Sequence, residues 1–126
     1  MKAKKPSARS YSHRTLKILW GRAAGRCAVP ECRAELIVDA TDHDPVVVIG
    51  DIAHIEASSN KGPRANRKLT TKDRHSYANL ILLCKNCHVR FDGQKRTNTV
   101  GAIRILRTEH EAWVRASLPE RGLSAT

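Results

Sequence analysis

A small α+β domain, two strands and a helix held between flanking helices, is what the sequence predicts, on three observations. Two cysteine pairs, Cys27/Cys32 and Cys84/Cys87, stand at either end of the central segment. A β-branched run over 46–55 is followed by a second apolar run over 80–83 that leads into Cys84. Residues 12–24 and 100–117 repeat apolar side chains near a 3.6-residue period. At 126 residues and 40% hydrophobic, the chain can bury one modest core, with only Tyr11, Trp20, Tyr77, Phe91 and Trp113 as aromatic filling, so a cross-link would help.

The elements follow in order. Residues 1–11 are basic, polar and aperiodic, and read as a flexible arm. Ser12 caps a helix to about residue 24, with Leu16, Leu19, Trp20 and Ala23 on one face and Gly25 as its stop. That stop delivers Cys27. Pro30 turns the CxxxxC segment, 34–38 reads as a short strand and 42–45 as a turn. The strand at 46–55 contains Gly50, which suggests a bulge or a close backbone approach. Residues 57–73, rich in Ser, Asn, Gly, Pro and basic side chains around Gly62-Pro63, form a long loop. Thr70 or Thr71 caps a single turn reaching Ser76, and Asn79 opens the run Leu80 to Leu83. A helix starts at Lys85, and the last helix carries Val100, Ile103, Leu106, His110, Trp113 and Val114 on one side. The tail at 119–126 should fray.

The cysteines decide the cross-link. No signal-peptide or membrane-length apolar run is present, so a cytoplasmic protein with no membrane partner is expected. In a reducing compartment, CxxxxC with CxxC favours tetrahedral Zn²⁺ over disulfides. A redox CxxC would lack its βαβ setting and would leave Cys27 and Cys32 without a task.

Net charge is +11 with a pI of 10.1, which points to a polyanionic partner. The distribution is uneven. Residues 1–26 hold eight Lys/Arg and no acid, residues 35–56 hold six acids and no Lys/Arg, and the following loop turns basic again. A divalent-cation site inside a phosphate-binding surface has this pattern, although Asp39, Asp42 and Asp44 read more simply as solvated loop charges.

Hydrolysis of a phosphodiester needs a base for water, a cation for the phosphate and a group that orients the base. His54, near the end of its strand, suits the first role, and the Asn79 amide can bond the backbone near it. Alone, each would be an ordinary strand or turn residue. His88 follows Cys87, and Asp92 lies one helical turn further on the same face, a spacing that lets the two share Mg²⁺, Mn²⁺ or a later metal such as Ni²⁺.

The runs Gly50-Asp51-Ile52-Ala53-His54-Ile55 and Asn79-Leu80-Ile81-Leu82-Leu83-Cys84-Lys85-Asn86-Cys87-His88 resemble the HNH endonuclease superfamily with its ββα-metal fold. The flanking Leu19-Trp20-Gly21-Arg22 and Arg26-Cys27, the Gly62-Pro63-Arg64 loop and His110-Glu111-Ala112-Trp113-Val114 more specifically resemble HNH modules of bacterial antiphage effectors, which are often joined to cyclic-oligonucleotide sensors. The resemblance implies a nuclease domain at 12–118, His54 as general base, Asn79 as its orienting residue, His88 as catalytic-metal ligand, and Cys27, Cys32, Cys84 and Cys87 as structural zinc ligands. One departure stands out. Many relatives carry Asp directly before the first histidine as a metal ligand, and this chain has Ala53. Asp51 lies about 6.6 Å away by strand rise. Asp92 is therefore the expected carboxylate ligand, with Asp51 in reserve.

Lys61, Arg64, Arg67, Lys68 and Arg90 are the expected phosphate contacts. With no base-reading element in view, low sequence specificity is the expectation; the resemblance implies a DNA endonuclease, with a role in antiphage defence. A catalytically silent zinc-stabilised nucleic-acid-binding module is the alternative that Ala53 keeps open, and a partner-recruiting subunit is a third. Double-strand cleavage would call for a homodimer, and regulation for a sensor on another chain or in a part of the protein outside this sequence.

Overall fold

A computed structural model of the chain describes residues 11–118. The tail expected at 119–126, and the arm expected at 1–11 apart from Tyr11, lie outside the described residues. The element order is α1 (His13–Ala23), β1 (Ile37–Val38), β2 (Val47–Val48), β3 (Gly50–His54), α2 (Thr71–Arg74), a 3-10 turn (Tyr77–Asn79), β4 (Leu80–Cys84), α3 (Lys85–Gly93) and α4 (Val100–Ser117). This is a small α+β fold with a ββα unit, β3-β4-α3, at its centre.

Strand β4 explains the rest. Its four leading residues, Leu80 to Leu83, are each no more than 1% exposed, so the run is continuous rather than alternating. Such a strand has to be covered on both faces. Here α1 and α3 both pack against it, with Leu19, Ala23, Phe91 and Ile103 in the same core. It pairs antiparallel with β3, Gly50 opposite Cys84 and His54 opposite Leu80.

The strand expected over 46–55 is divided. Val47–Val48 pairs with Ile37–Val38 in a separate two-stranded sheet, while β3 begins at Gly50. Gly50 explains the position of the break, because a Cβ there would come 2.8 Å from Leu36 Cδ1 and 3.0 Å from Leu36 Cβ. The sheet passes so close to Leu36 that only glycine fits. The hairpin beyond it leaves Val46, Val47 and Val48 exposed.

Helix α1 starts where Ser12 Oγ accepts from Thr15 N–H at 3.0 Å. It ends at Ala24, in the left-handed region at φ 57°, one residue before the glycine that the sequence offered as its stop. Helix α4 is tied back onto α1 by His110, which is wholly buried and donates from Nε2 to the Ala23 carbonyl at 2.9 Å. Arg33 Nε donates to the other ring nitrogen at 3.4 Å, and its guanidinium lies 4.2 Å from the Trp113 ring centre. The CxxxxC segment and the two outer helices are thereby locked together. No helix among the described residues is long and apolar enough to cross a membrane.

Candidate active site and metal centres

The four sulfurs converge. The Sγ atoms of Cys27, Cys32, Cys84 and Cys87 all lie within 4.8 Å of one another, with Cys32 and Cys84 at 3.9 Å. A tetrahedron with Zn–S bonds of about 2.3 Å has edges of about 3.8 Å, so the donor set fits zinc. Burial pushes the Cys27 thiol well above its ordinary pKa. A cation among the sulfurs would be what makes such a buried thiol a thiolate ligand. Cys84 also serves as the N-cap of α3, its sulfur accepting from Cys87 N–H at 3.4 Å.

One residue past Cys87, His88 leaves the first turn of α3 between two carboxylates on opposite edges of its ring. Nδ1 lies 3.1 Å from Asp51 Oδ2, and Nε2 lies 3.3 Å from Asp92 Oδ2. Burial alone would raise the Asp51 pKa, but hydrogen bonds from Lys85 and His88 outweigh it and hold the carboxyl below its ordinary value. An ionised Asp51 only accepts, so Nδ1 of His88 carries the proton. The Nε2 edge of the ring faces Asp92 Oδ2, a contact that a proton on Nε2 or a shared metal ion would satisfy. Two ligand atoms of a six-coordinate ion with bonds near 2.1 Å sit about 3 Å apart, close to what is found.

Asp51 is thus brought to His88 but on the wrong nitrogen to share its ion with Asp92. Its place is behind the ring, with Lys85 Nζ donating to its other oxygen at 2.7 Å. This is the position of a carboxylate that orients a metal-binding imidazole. Ala53 is 3% exposed and does not line the cleft.

His54, His88 and Asp92 open onto one cleft of about 140 Å³, with Ile52 and Pro63 among its walls. His54 is 9% exposed, and its Nε2 lies 3.1 Å from Nδ1 of His75. The Asn79 side chain is engaged with backbone groups. Its Oδ1 accepts from Glu56 N–H at 2.8 Å, and its Nδ2 donates to the carbonyls of Glu56 at 2.8 Å and Arg74 at 3.0 Å. The backbone two residues after His54 is therefore tied to the backbone just before His75.

The basic residues divide. Arg64, grouped above with the phosphate contacts, has a side chain only 5% exposed. It donates to the Ile55 carbonyl at 2.7 Å, the Phe91 carbonyl at 3.1 Å and Asp92 Oδ1 at 2.8 Å. Its donors are spent inside, pinning the long loop to the cleft and holding one oxygen of Asp92. Lys61, Arg67, Lys68 and Arg90 are exposed. Arg67 and Lys68 line an open groove of about 790 Å³, together with Lys95 and the start of α4. Arg90 leans back on the zinc site, 3.4 Å from Cys87 Sγ. Lys95 and His75 were not anticipated from sequence: neither falls at a ligand spacing, and only the proximity of His75 to Asn79 hinted at it.

A ββα unit closed by four thiols, with a histidine on its strand and another on its helix, is the architecture of the ββα-metal class. The chain belongs to the HNH endonuclease family, which it matches over residues 27–95. Family membership implies nuclease activity on a nucleic acid, and a divalent metal is typical of the family. Among curated proteins, none matches the chain. Helices α1 and α4 lie outside the family match.

Proposed function

We propose that the protein is a metal-dependent DNA endonuclease of low sequence specificity, in which His54 is the general base and His88 with Asp92 holds a catalytic Mg²⁺, Mn²⁺ or Ni²⁺. The observation that carries this reading is the single cleft shared by His54 and the His88–Asp92 pair. A divalent cation bound there would supply positive charge to the scissile phosphate and its leaving oxygen. The protein's own side chains do the remainder. His54 accepts a proton from water, and Asn79 fixes the backbone that carries it. Asp51 sets the ring of His88, and Arg64 turns Asp92 so that Oδ2 faces the cleft.

Arg67, Lys68 and Lys95 would carry the phosphate backbone along the adjoining groove, with Lys61 and Arg90 at the periphery. Contacts of this kind position a duplex without reading it, which is the reason for expecting low specificity. A role in antiphage defence rests on the resemblance of the flanking segments, and pairing into a homodimer on the geometry of a double-strand cut with one active site per chain; control would fall to a sensor on another chain or in a part of the protein outside this sequence.

Ala53 favours a second reading, a zinc-stabilised nucleic-acid-binding module without catalysis. Supercoiled plasmid incubated with Mg²⁺, Mn²⁺ or Ni²⁺ separates the two. Nicked or linear product is expected from the parent protein and a rate about 100-fold lower or less from His54→Ala. Duplex binding with no cleavage in any of the three metals would reject the enzyme in favour of the module.

A further inference from the structure

Resting on that reading, we propose that His75 is a positioning residue for the general base: its Nδ1 accepts a hydrogen bond from His54 Nε2–H and so selects the tautomer of His54 that is basic at Nδ1. The two imidazole nitrogens lie 3.1 Å apart. The rings meet edge to face, with centroids 5.1 Å apart and planes at 72°. Tyr11 packs on both, 6.0 Å from the His54 ring and 5.6 Å from that of His75.

A neutral imidazole has one N–H and one lone pair, so a bond between two imidazoles requires one to donate and the other to accept. Were His75 Nδ1 the donor, the Nε2 lone pair of His54 would be occupied and its proton would sit on Nδ1. His54 would then have no basic nitrogen to offer water. With His75 accepting, the proton sits on Nε2 and Nδ1 is the base. When water gives its proton to Nδ1, the Nε2–H bond to His75 becomes a charge-assisted one, stronger than in the neutral pair. Stabilisation thus grows as the reaction proceeds, which is the condition for a contribution to rate.

The backbone is arranged to hold this pair. His75 closes α2, whose N-cap Thr70 accepts from Asp73 N–H at 3.1 Å. Asn79 bonds the Arg74 carbonyl on one side and both backbone groups of Glu56 on the other. One amide therefore spaces the chain beside His75 against the chain beside His54. The orienting influence of Asn79 reaches the base through the position of its partner.

The test uses the full chain loaded with zinc, ¹⁵N-labelled at histidine, read by long-range ¹H–¹⁵N correlation. His54 is expected as the Nε2–H tautomer in the parent, as a mixture in His75→Ala, and again as Nε2–H in His75→Asn, whose Oδ1 falls near the lost Nδ1. Single-turnover cleavage of plasmid in Mn²⁺ should slow about 10- to 100-fold in His75→Ala, recover in part in His75→Asn, and show no further loss when His75→Ala is added to His54→Ala. Duplex affinity should be unchanged in all of them. An Nδ1–H tautomer of His54 in the parent would overturn the proposal, as would a folded, zinc-loaded His75→Ala protein cleaving within two-fold of the parent. Should the parent cleave nothing, the enzymatic reading fails, and the tautomer spectra still decide the pairing.

Discussion

Replacing Arg64 by alanine tests whether this arginine belongs to the scaffold or to the phosphate surface. Its guanidinium, 5% exposed, bonds three main-chain carbonyls, that of His54 only at 3.5 Å, and one carboxylate oxygen. Truncation leaves the Ile55 and Phe91 carbonyls without this partner, at about 1–1.5 kcal/mol each on typical hydrogen-bond values. The Asp92 pair adds less, since that carboxylate is 37% exposed and screened by water. A total near 3 kcal/mol follows, or a fall of about 12–20 °C in thermal midpoint for a domain of this size. Backbone strain supplies an internal check. Arg64 has φ 57°, a left-handed conformation that glycine adopts freely. Arg64→Gly should therefore unfold later than Arg64→Ala by about 1 kcal/mol, although it deletes more side chain. The assay is urea unfolding at saturating zinc, with Arg67→Ala, an exposed neighbour, expected within about 0.5 kcal/mol of the parent. An Arg64→Ala protein as stable as Arg67→Ala would refute the scaffold assignment.

Four further outcomes are expected. Chelation of zinc, or Cys84→Ser, should abolish cooperative unfolding, because structural zinc supplies about 10–16 kcal/mol of apparent binding free energy; a zinc-free protein with an unchanged midpoint would contradict the four-thiol site. Gly50→Ala should cost about 1–3 kcal/mol by driving a methyl into Leu36, whereas Gly101→Ala, with open space around it, should be neutral or mildly stabilising. Burial, aided by the charge of Arg33, holds the His110 pKa below its ordinary value. As pH falls the unfolded chain takes up this proton first, so the contribution of His110 is complete above about pH 6.5 and is lost as pH drops toward the folded value; the parent should lose more stability than His110→Gln between pH 7 and 5, and parallel losses would exclude this site. Asp51→Asn should weaken Mn²⁺ binding about 10- to 100-fold without loss of fold, as measured by calorimetry on zinc-loaded protein, and unchanged affinity would show that nothing behind the His88 ring matters.

What was legible in the sequence was whatever depends on neighbours within a few residues. The cysteine spacings, the apolar run into Cys84 and the His88–Asp92 interval are local, and local geometry determines them. Ser12 and the 3.6-residue period likewise gave α1 and α4 to within a residue or two. The division of the long strand was not legible, because it arises from Leu36 pressing on Gly50 across the sheet. Arg64 looked like any basic loop residue; its partners, Ile55 and Phe91, lie 9 and 27 residues away. The distance of Asp51 along the strand from Ala53 does not decide its role; the nitrogen of His88 that it meets does. Ring edges have no signature in spacing. His75 is the same case: two imidazoles 21 residues apart become a pair only once Asn79 draws their segments together.

The register of β3 against β4 connects the structural metal to the chemistry. Cys84 pairs with Gly50 at one end of the ladder, and His54 pairs with Leu80 at the other. Side chains alternate along a strand, so a slip of one residue would turn His54 out of the cleft and put Ala53 in its place. Two constraints oppose the slip at the cysteine end: the sulfur cluster holds Cys84, and Leu36 admits only glycine opposite it. The same cluster holds Cys87, and an α-helix turns 100° per residue, so His88 projects about 100° away from the zinc ligands, toward Asp51. Strand register and helix rotation are thus both set by one set of thiols. Loss of zinc should accordingly separate His54 from His88 even where secondary structure survives, so with Mg²⁺ kept in excess and a zinc-selective chelator titrated in, plasmid cleavage would vanish earlier than far-ultraviolet helicity. Cleavage that persists after helicity has gone would mean that the cleft does not depend on the cysteines at all.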